Sequence, residues 1–439
     1  MFRRLAALPR QVSIVGAKGF VQSGSSAAKG MGPSPSTTDL IQKVLYDALD
    51  ESKLRIQDLD ALIAVPSLTE NHFMEAHYQA TRLGIFEQRP HLRCKTIDTG
   101  GAGPISALLE GTRMIRSEGL ECVAVVAADC VASMDTDAFL QKADEIFLKL
   151  QMHRGEEGST TSPAIPHGYD RLTQYQMENF GLTRDQLRMA VCLESFHAGL
   201  HPESLFREKG IKGDGGRKNF TSLQQVQQAP LVTPNLSILE CARRADGAAC
   251  LILASNRFLA RQGLYQEGLP TVIGGGESSG PLYPAANITE AHFSCEQAMS
   301  YAYASAGNLT AEDIDFFGLY DCFPICLVRA LEASGLCGKG QGGQYLEKEY
   351  NRLLTATEAS SSQALLKLPS DFFPVNTHGG LLGYGAPWEV PAMFNVIEAV
   401  DQLKGSAKGR QLANCQKALV YGNGGVLSAS AVAILSKSL

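Results

Sequence analysis

In this chain of 439 residues, a series of strand-like and helical segments occurs twice in the same order. In its first half, VSIVG (12–16) precedes a helical stretch, which is followed by a turn and a buried strand within IQDLDALIAVPS (56–67). The glycine loop TIDTGGAGP (96–104) then opens into a second helical stretch and the apolar strand ECVAVVAADC (121–130). Short apolar runs alternating with helical segments are typical of buried strands in an α/β protein.

The second half repeats this order from PTVIGGG (270–276) onward. AEDIDFFGLYDCF (311–323) corresponds to the first buried strand, NTHGGLLGYGAP (376–387) to the glycine loop, and KALVYGNGG (417–425) to the last strand. A duplication of alternating strands and helices predicts two similar α/β units packed together.

Residues 135–235, between the two halves, are richer in charge and in irregular sequence, which predicts an inserted loop domain. We therefore assign residues 11–134 and 236–260 to the first half, and residues 261–439 to the second half.

Composition limits the partners of the chain. With 44% apolar and 19% charged residues, most of it is expected to fold compactly. The net charge of -6 argues against a general nucleic-acid partner. No apolar run reaches the roughly 18 to 20 residues that span a bilayer, so we expect no membrane span. The eleven cysteines include no C-x-x-C pair, which indicates free thiols and no metal site.

The two termini suggest where the protein resides. MFRRLAALPRQ carries three arginines, and no acidic residue precedes Asp39, so residues 1–10 have the composition of a targeting leader and indicate mitochondrial import. An ordinary basic start is the alternative, because a strand begins almost at once. Residues 436–439 approximate a peroxisomal signal, which leaves a peroxisomal or glycosomal location open.

The glycine loops are candidate binding sites. A glycine loop before a helix presents backbone N–H groups that favour an anion or a polarised oxygen, although the glycines could also serve only tight turns. The sequence contains no phosphate-loop, dinucleotide-binding or G-x-S-x-G motif, which argues against nucleotide binding and a serine nucleophile.

Three motifs, YDCF (320–323), NTHGGLLGYGAP (376–387) and LVYGNGGVLS (419–428), carry a family resemblance. Together with the duplicated frame, they resemble the thiolase superfamily, and in particular its sterol-carrier-protein type, over residues 11–438. The resemblance implies an α/β thiolase fold, a duplicated five-layered α-β-α-β-α core with an inserted loop domain. It also implies a homodimer that binds coenzyme A (CoA) thioesters as ligands, with no other cofactor.

The reactive side chains of the family are replaced in this sequence. Gly101 stands where the resemblance places the nucleophilic cysteine, and Tyr320 replaces the histidine of an HDCF motif. Asn376 of the third loop matches the family, but Ala386 occupies the place of its histidine and Tyr421 that of the basic cysteine. The resemblance therefore implies a subgroup that forms no acyl-enzyme and has no ordinary thiolase activity.

Enolate chemistry remains compatible with these motifs. Backbone N–H groups of Gly101, Asn423 and Gly424 could form an oxyanion hole. We expect a protein of lipid metabolism that binds malonyl-CoA or acetoacetyl-CoA, with weak malonyl-CoA decarboxylation as the favoured reaction. The candidate catalytic residues are Tyr320, Cys322, Asn376 and His378, with Cys322 as the proton donor to carbon.

Alternatives stay open at this point. Cys322 could be only a small buried residue, and His378 could serve only to structure its loop. A second reaction is retro-aldol cleavage of a β-hydroxyacyl-CoA with the help of a partner domain, for which Tyr320, Tyr384 and Tyr421 are candidates. A non-catalytic CoA-thioester binding protein is the third interpretation.

The phosphates of CoA require cations, and the loop domain contains one dense basic cluster. A solvated charged loop is the alternative interpretation of this cluster. Its residues are Arg207, Lys209, Lys212, Arg217 and Lys218.

Overall fold

Eleven strands lie in the part of the chain that the computed structural model describes, namely residues 11–24, 35–154, 162–208, 220–359, 367–369 and 372–437. The expected leader, residues 1–10, falls outside this part. The strands are β1 (Val12–Gln22), β2 (Ala61–Ala64), β3 (Arg93–Thr96), β4 (Cys122–Cys130), β5 (Leu231–Thr233), β6 (Leu236–Ser237), β7 (Asp246–Ser255), β8 (Pro270–Ser279), β9 (Phe316–Gly318), β10 (Lys417–Gly424) and β11 (Ala429–Lys437).

Helices connect and cover these strands. They are α1 (Thr37–Ser52), α2 (Glu75–Arg82), α3 (Ile85–Gln88), α4 (Gly103–Glu118), α5 (Thr136–Arg154), α6 (Ala164–Phe180), α7 (Arg184–Leu200), α8 (Leu205–Glu208), α9 (Leu223–Gln227), α10 (Asn256–Gln262), α11 (Cys295–Ser305), α12 (Pro324–Ala333), α13 (Gly342–Ala359) and α14 (Pro391–Lys404).

The strands of the first half lie in the order β3-β2-β4-β7-β1. β2 runs parallel to β3 and β4, whereas β7 runs antiparallel to both β4 and β1. β4 and β7 are buried along their whole length, as expected for strands whose two faces are both covered by helices.

The second half repeats this order, as β9-β10-β11-β8. Its fifth position, beside β9, is taken by the segment around Val375, which forms an isolated parallel bridge with Phe317. The N–H of Phe317 donates to Pro374 O, and the N–H of Asn376 donates to Phe317 O, both at 2.9 Å. The strand order thus repeats the duplication seen in the sequence.

The two halves join edge to edge where β1 pairs with β8 at a single position, Ser13 and Thr271. The hydroxyl groups of these two residues lie 3.1 Å apart, and the Ser13 hydroxyl also donates to the Asn256 side chain. All nine strands of both halves therefore belong to one hydrogen-bonded sheet.

Two glycines in β1 lie where helices approach the sheet of the first half closely, one on each face. A β-carbon on Gly16 would lie 2.3 Å from Ala48 O of α1, and one on Gly19 would lie 2.8 Å from the Ile397 side chain of α14. Since these glycines face opposite sides of β1, α1 and α14 cover the two faces of the first half.

β8 has the same arrangement in the second half. A β-carbon on Gly276 would lie 2.3 Å from Ala298 O of α11, and one on Gly275 would lie 2.2 Å from the Leu109 side chain of α4. Helices α4 and α14 also contact each other and strands of both halves, so they form the middle layer. The order α1, first-half strands, α4 with α14, second-half strands, α11 confirms the predicted five layers.

The residues between β4 and β7 form helices α5 to α9 and the short hairpin of β5 and β6. Leu236 and Ser237 pair with β5, although we assigned them to the first half; the main sheet resumes only at Asp246. Helices α6 and α7 bring side chains of this insertion to the glycine loops.

Candidate active site

Gly101 lies in the first glycine loop, separated from helix α4 by its N-cap residue, Ala102. A β-carbon built on it would lie 2.2 Å from the hydroxyl oxygen of Tyr320 and 2.4 Å from the carbonyl oxygen of Asn423. Both distances are far below van der Waals contact. Tyr320 therefore fills the space that a side chain at position 101 would need, and only glycine fits there in this arrangement.

The first and fourth loops press against each other through their backbones. A β-carbon on Gly424 would lie 2.0 Å from Thr99 O, and one on Gly422 would lie 2.9 Å from Gly101 O. Gly100, with φ of +62°, lies against Gly424 in the same way. The structure thus brings together the residues predicted for the oxyanion hole, Gly101, Asn423 and Gly424.

Tyr320 follows β9 and is only 5% exposed. Burial raises the pKa of its phenol well above the usual range, and the neighbouring thiols of Cys322 and Cys326 act in the same direction. The phenol therefore stays neutral and can donate a hydrogen bond. Among the described residues, none accepts a hydrogen bond from this hydroxyl.

The side chain of Asn376 holds the backbone just before Tyr320. Its Oδ1 accepts from the N–H of Leu319 at 2.7 Å, and its Nδ2 donates to Leu319 O at 2.8 Å and to Glu194 Oε1 at 3.2 Å. Asn376 therefore fixes the backbone next to Tyr320, and both donor positions of its amide are occupied.

Asp321 fastens the third glycine loop. Its carboxylate accepts hydrogen bonds from the N–H groups of Leu381, at 2.8 Å, and Leu382, at 3.2 Å. These residues lie in a π-helical turn, Gly380–Tyr384, in which a β-carbon on Gly380 would meet the carboxylate of Asp321. Burial raises the pKa of Asp321 to about 7.

Glu194 of helix α7 is an acid that the sequence analysis missed. It is fully buried, and its Oε2 finds no hydrogen-bond partner in the described part of the chain. Burial raises its pKa well above the usual range, and the charge of Asp321 adds to the shift. Nothing in the local sequence of a helix signals such a contact with a distant loop.

Cys322 is half-buried beside a polar cluster that includes the loop domain. Its sulfur lies 3.8 Å from the sulfur of Cys326.

Tyr169 on α6 belongs to this polar cluster. The Asn423 amide donates to the Tyr169 hydroxyl at 2.9 Å, and this hydroxyl donates to Gly425 O at 2.9 Å. Tyr169, which the sequence analysis did not select, thereby contributes a wall of the site from the insertion.

The structure does not bring His378 to this cluster. Its ring packs against Tyr384 at 5.4 Å, and its electrostatic neighbours are Glu398 and Arg410. Burial lowers its pKa to about 4. None of its contacts within the described residues involves Tyr320 or Cys322, so a role of His378 at the thioester stays a prediction.

The other two candidate tyrosines also lie apart from Gly101. Tyr384 packs edge-on against His201 at 4.8 Å, and the Tyr421 hydroxyl lies 3.3 Å from that of Ser430. Both are buried and serve the packing around their loops. Tyr320 is the candidate tyrosine that reaches the first glycine loop.

Glu389 brings an unexpected carboxyl to the end of the third loop. It follows Trp388, which has φ of +45° and packs edge-on against Phe139 at 5.8 Å. Its Oε2 is buried without a hydrogen-bond partner among the described residues. Burial raises its pKa well above the usual range, with further contributions from Asp98 and Asp129.

The basic cluster is described only at Arg207, which is exposed on α8; Lys209, Lys212, Arg217 and Lys218 lie outside the described residues. Arg243 is a cation that the sequence analysis missed. Its guanidinium packs over the ring of Phe206 at 5.6 Å, and its carbonyl accepts the N–H of Ala386 at 2.7 Å. Burial lowers its pKa, and no carboxylate of the described chain pairs with it.

Two further properties concern the described part of the chain as a whole. None of its helices is long and apolar enough to cross a membrane. None of its clusters of three or more histidine, cysteine or acidic side chains could hold a metal ion.

Comparison with known proteins agrees with this geometry. A family model for the thiolase C-terminal domain-like family matches residues 282–437. The acetyl-CoA acetyltransferase of Methanothermobacter thermautotrophicus is 25% identical over 410 residues, covering 92% of this chain and 95% of the relative. Sterol carrier protein 2 of Oryctolagus cuniculus is 24% identical over 441 residues, covering 99% of this chain and 73% of the relative.

Among solved structures, the Ltp2-ChsH2(DUF35) aldolase is similar in fold, with a TM-score of 0.72. The two are 21% identical, and the match covers 98% of this chain and 99% of that chain. The repeated strand order and the five layers show the thiolase fold. In sequence and fold, the chain is similar to thiolase-superfamily proteins of the sterol-carrier-protein type.

Proposed function

We propose that this protein binds a CoA thioester and cleaves a carbon–carbon bond of a β-hydroxyacyl chain by a retro-aldol reaction, without a covalent intermediate. The observation that carries the proposal is the position of Tyr320. Its hydroxyl occupies the space of a side chain at Gly101, so a hydrogen-bond donor stands where the family resemblance places the nucleophile.

The reaction needs an enolate but no acyl transfer. As the bond between the α- and β-carbons breaks, its electron pair moves onto the α-carbon and the thioester oxygen. The neutral phenol of Tyr320 and the backbone N–H groups of Gly101 and Gly424 would stabilise that oxygen, since prearranged donors aimed at a developing charge are effective. Cys322 would then donate a proton to the α-carbon.

The acidic surroundings of the site favour this reaction over malonyl-CoA decarboxylation. Asp98, Asp321, Glu194 and Glu389 lie near the loops that meet at Tyr320. No lysine or arginine of the described chain is among the charged groups that shift the pKa values of Tyr320, Asp321 and Glu389. A malonyl carboxylate would enter without a counter-ion, which is costly in a buried site.

Arg243 and Arg207 are proposed to bind the phosphates of CoA. Arg243 is half-buried without a carboxylate partner among the described residues, and its backbone is bonded to the third glycine loop. A phosphate would provide the charge that its guanidinium lacks, and arginine binds phosphate in a bidentate manner.

We also propose that the protein forms a homodimer through the open edge of the sheet. β3 is the terminal strand of the sheet, and its edge has no partner in the described chain. Phe73, which is 89% exposed, and Met74 stand next to this strand, because the N–H of Ala76 donates to the Thr96 side chain. An open edge beside exposed apolar groups is a site for association.

The test offers two thioesters to the purified protein, 3-hydroxy-3-methylbutanoyl-CoA and malonyl-CoA, and follows acetyl-CoA by mass spectrometry. Retro-aldol cleavage of the first also releases acetone, which a separate assay detects. We expect cleavage of the first thioester, and a loss of about 100- to 1000-fold in Tyr320→Phe. Acetyl-CoA from malonyl-CoA alone would refute the retro-aldol proposal and support decarboxylation. Binding of CoA without turnover of either would support a non-catalytic binding protein.

A further inference from the structure

We propose that the carboxylate of Glu389 is the catalytic base that removes the proton from the β-hydroxyl group of the thioester. The inference rests on the proposed retro-aldol function, which leaves this proton without an acceptor. Tyr320 is a donor, and Ala386 stands where the family resemblance places a histidine in the third loop. Glu389 lies three residues beyond Ala386, on the same loop.

Glu389 follows the third glycine loop directly, after Trp388. Its charge is one of the causes that raise the pKa of Tyr320. Asp98 of the first glycine loop and Asp129 at the end of β4 are its other charged neighbours. These charges link Glu389 to the first glycine loop and to the end of β4, and no lysine or arginine is among the groups that shift its pKa.

The carboxyl has a side-chain hydrogen bond with Trp388, but one of its two oxygens has no partner in the described chain. The preceding residue, Trp388, is anchored against Phe139, and the N–H of Val390 donates to Pro387 O at 3.0 Å. Within the described residues Glu389 Oε2 has no hydrogen-bond partner, although it is buried. A buried polar atom without a partner costs folding free energy, so such an atom needs an explanation such as a bound group. A substrate hydroxyl would supply the missing hydrogen bond.

The proton balance of the reaction closes with this assignment. The Glu389 carboxylate accepts the hydroxyl proton, the oxygen forms a carbonyl on the β-carbon, and the bond to the α-carbon breaks. The electron pair of that bond forms the enolate, which takes a proton from the Cys322 thiol. Solvent then returns a proton to Cys322 and removes one from Glu389, so the reaction needs no oxidant or reductant.

The electrostatic surroundings suit a base. Burial, together with the charges of Asp98 and Asp129, raises the pKa of the Glu389 carboxyl above the usual value of about 4.3. A carboxylate with a raised pKa accepts a proton more readily than an exposed one. Activity should therefore fall as the pH drops through the raised pKa of Glu389.

The experiment compares wild type with Glu389→Gln, Glu389→Asp and the matched control Glu87→Gln, which makes the same change at an exposed site on α3. Two reactions are measured for each. One is cleavage of 3-hydroxy-3-methylbutanoyl-CoA between pH 5 and 9, and the other is exchange of the α-protons of acetyl-CoA in deuterium oxide. Exchange needs Cys322 and Tyr320 but no base for a β-hydroxyl.

We expect Glu389→Gln to lose at least about 100-fold in kcat for cleavage, in keeping with the loss of a general base, while it keeps α-proton exchange. The decrease of the cleavage rate toward low pH should be absent in Glu389→Gln and present again in Glu389→Asp. Cleavage by Glu389→Gln at the wild-type rate would overturn the assignment and leave the retro-aldol function intact. Wild type that exchanges α-protons but cleaves no β-hydroxyacyl thioester would overturn the function, and the assignment with it.

Discussion

The carboxylate of Asp321 accepts a hydrogen bond from the backbone N–H of Leu381 at 2.8 Å, across 60 residues of sequence. The residue next to Tyr320 therefore also holds the third glycine loop. Because Asn376 fixes Leu319 on the other side of Tyr320, the tyrosine is positioned by contacts on both sides. Pre-organisation of this kind is what a site without a covalent step depends on.

Replacement of Asp321 by asparagine should lower the stability of the fold. One carboxyl oxygen becomes an NH₂ group, which, unlike the hydroxyl of the protonated acid present at pH 5, cannot accept the N–H of Leu381 or Leu382. A lost buried acceptor costs about 1–3 kcal/mol. Chemical denaturation at pH 5 measures this loss, with Asp50→Asn on the exposed side of α1 as control. A loss no larger than that of the control would contradict the role given to Asp321.

The same substitution should change the pH dependence of stability. Folded Asp321 holds its proton up to a pKa of about 7, whereas the unfolded chain releases it near the reference value of about 3.9. The folded state therefore binds more protons between these values, and the free energy of unfolding falls as the pH rises through them. In Asp321→Asn this part of the fall should vanish; an unchanged slope between pH 4 and 7 would refute the assignment.

Loss of the Arg243 guanidinium should weaken CoA binding. A charge-assisted hydrogen bond contributes about 1.5–3 kcal/mol, so Arg243→Ala should raise the Kd for CoA by about ten-fold or more. Calorimetry at two salt concentrations measures this change, which should be smaller at high salt. Arg261→Ala, which removes an exposed arginine paired with Glu121, is the control. Equal Kd values for the two variants would exclude Arg243 from the CoA site.

A charge at position 73 should separate the proposed dimer. Phe73→Asp replaces an exposed ring next to the open edge of β3 by a carboxylate, and its counterpart on a second copy would carry the same charge. Light scattering coupled to size-exclusion chromatography should give a dimer mass for wild type and a monomer mass for the variant. Tyr301→Asp, at another exposed aromatic residue on α11, should remain dimeric. A monomer mass for the wild-type protein would contradict the proposed homodimer.

Gly101 and Tyr320 should be coupled in a double-mutant cycle. Gly101→Ala forces a methyl group against the Tyr320 hydroxyl, and overpacking of this kind costs about 1–3 kcal/mol. Tyr320→Ala removes that clash but leaves the Asn423 carbonyl in place. The double mutant should therefore lose less stability than the sum of the two single losses, by about 0.5 kcal/mol or more. Strict additivity in urea denaturation would show that the two residues do not touch.

Much of the fold could be predicted from the sequence because it depends on local patterns. Each half repeats the same alternation of apolar runs and helical stretches, and the strand order follows it down to Val375 in the fifth position. The meeting of Gly101 with Asn423 followed from the family resemblance. These features require only that similar segments fold alike.

The contacts that were missed join residues far apart in sequence. Tyr169 and Glu194 come from helices of the insertion, and their own helical patterns do not reveal that each side chain reaches a loop of the second half. The packing of His378 was not foreseen for a related reason. The chain passes through a left-handed residue at Asn376, with φ of +48°, and the histidine then packs against Tyr384. No residue spacing signals that turn.

The close fit of Gly101 against Tyr320 also restricts how such a protein could evolve. A cysteine that arose at position 101 would meet the tyrosine ring, and a smaller residue that arose first at position 320 would leave an unfilled cavity and no hydroxyl donor. Each single step passes through a less stable protein. A cysteine at position 101 would therefore need a second change at position 320, so the packing ties the two side-chain positions to each other.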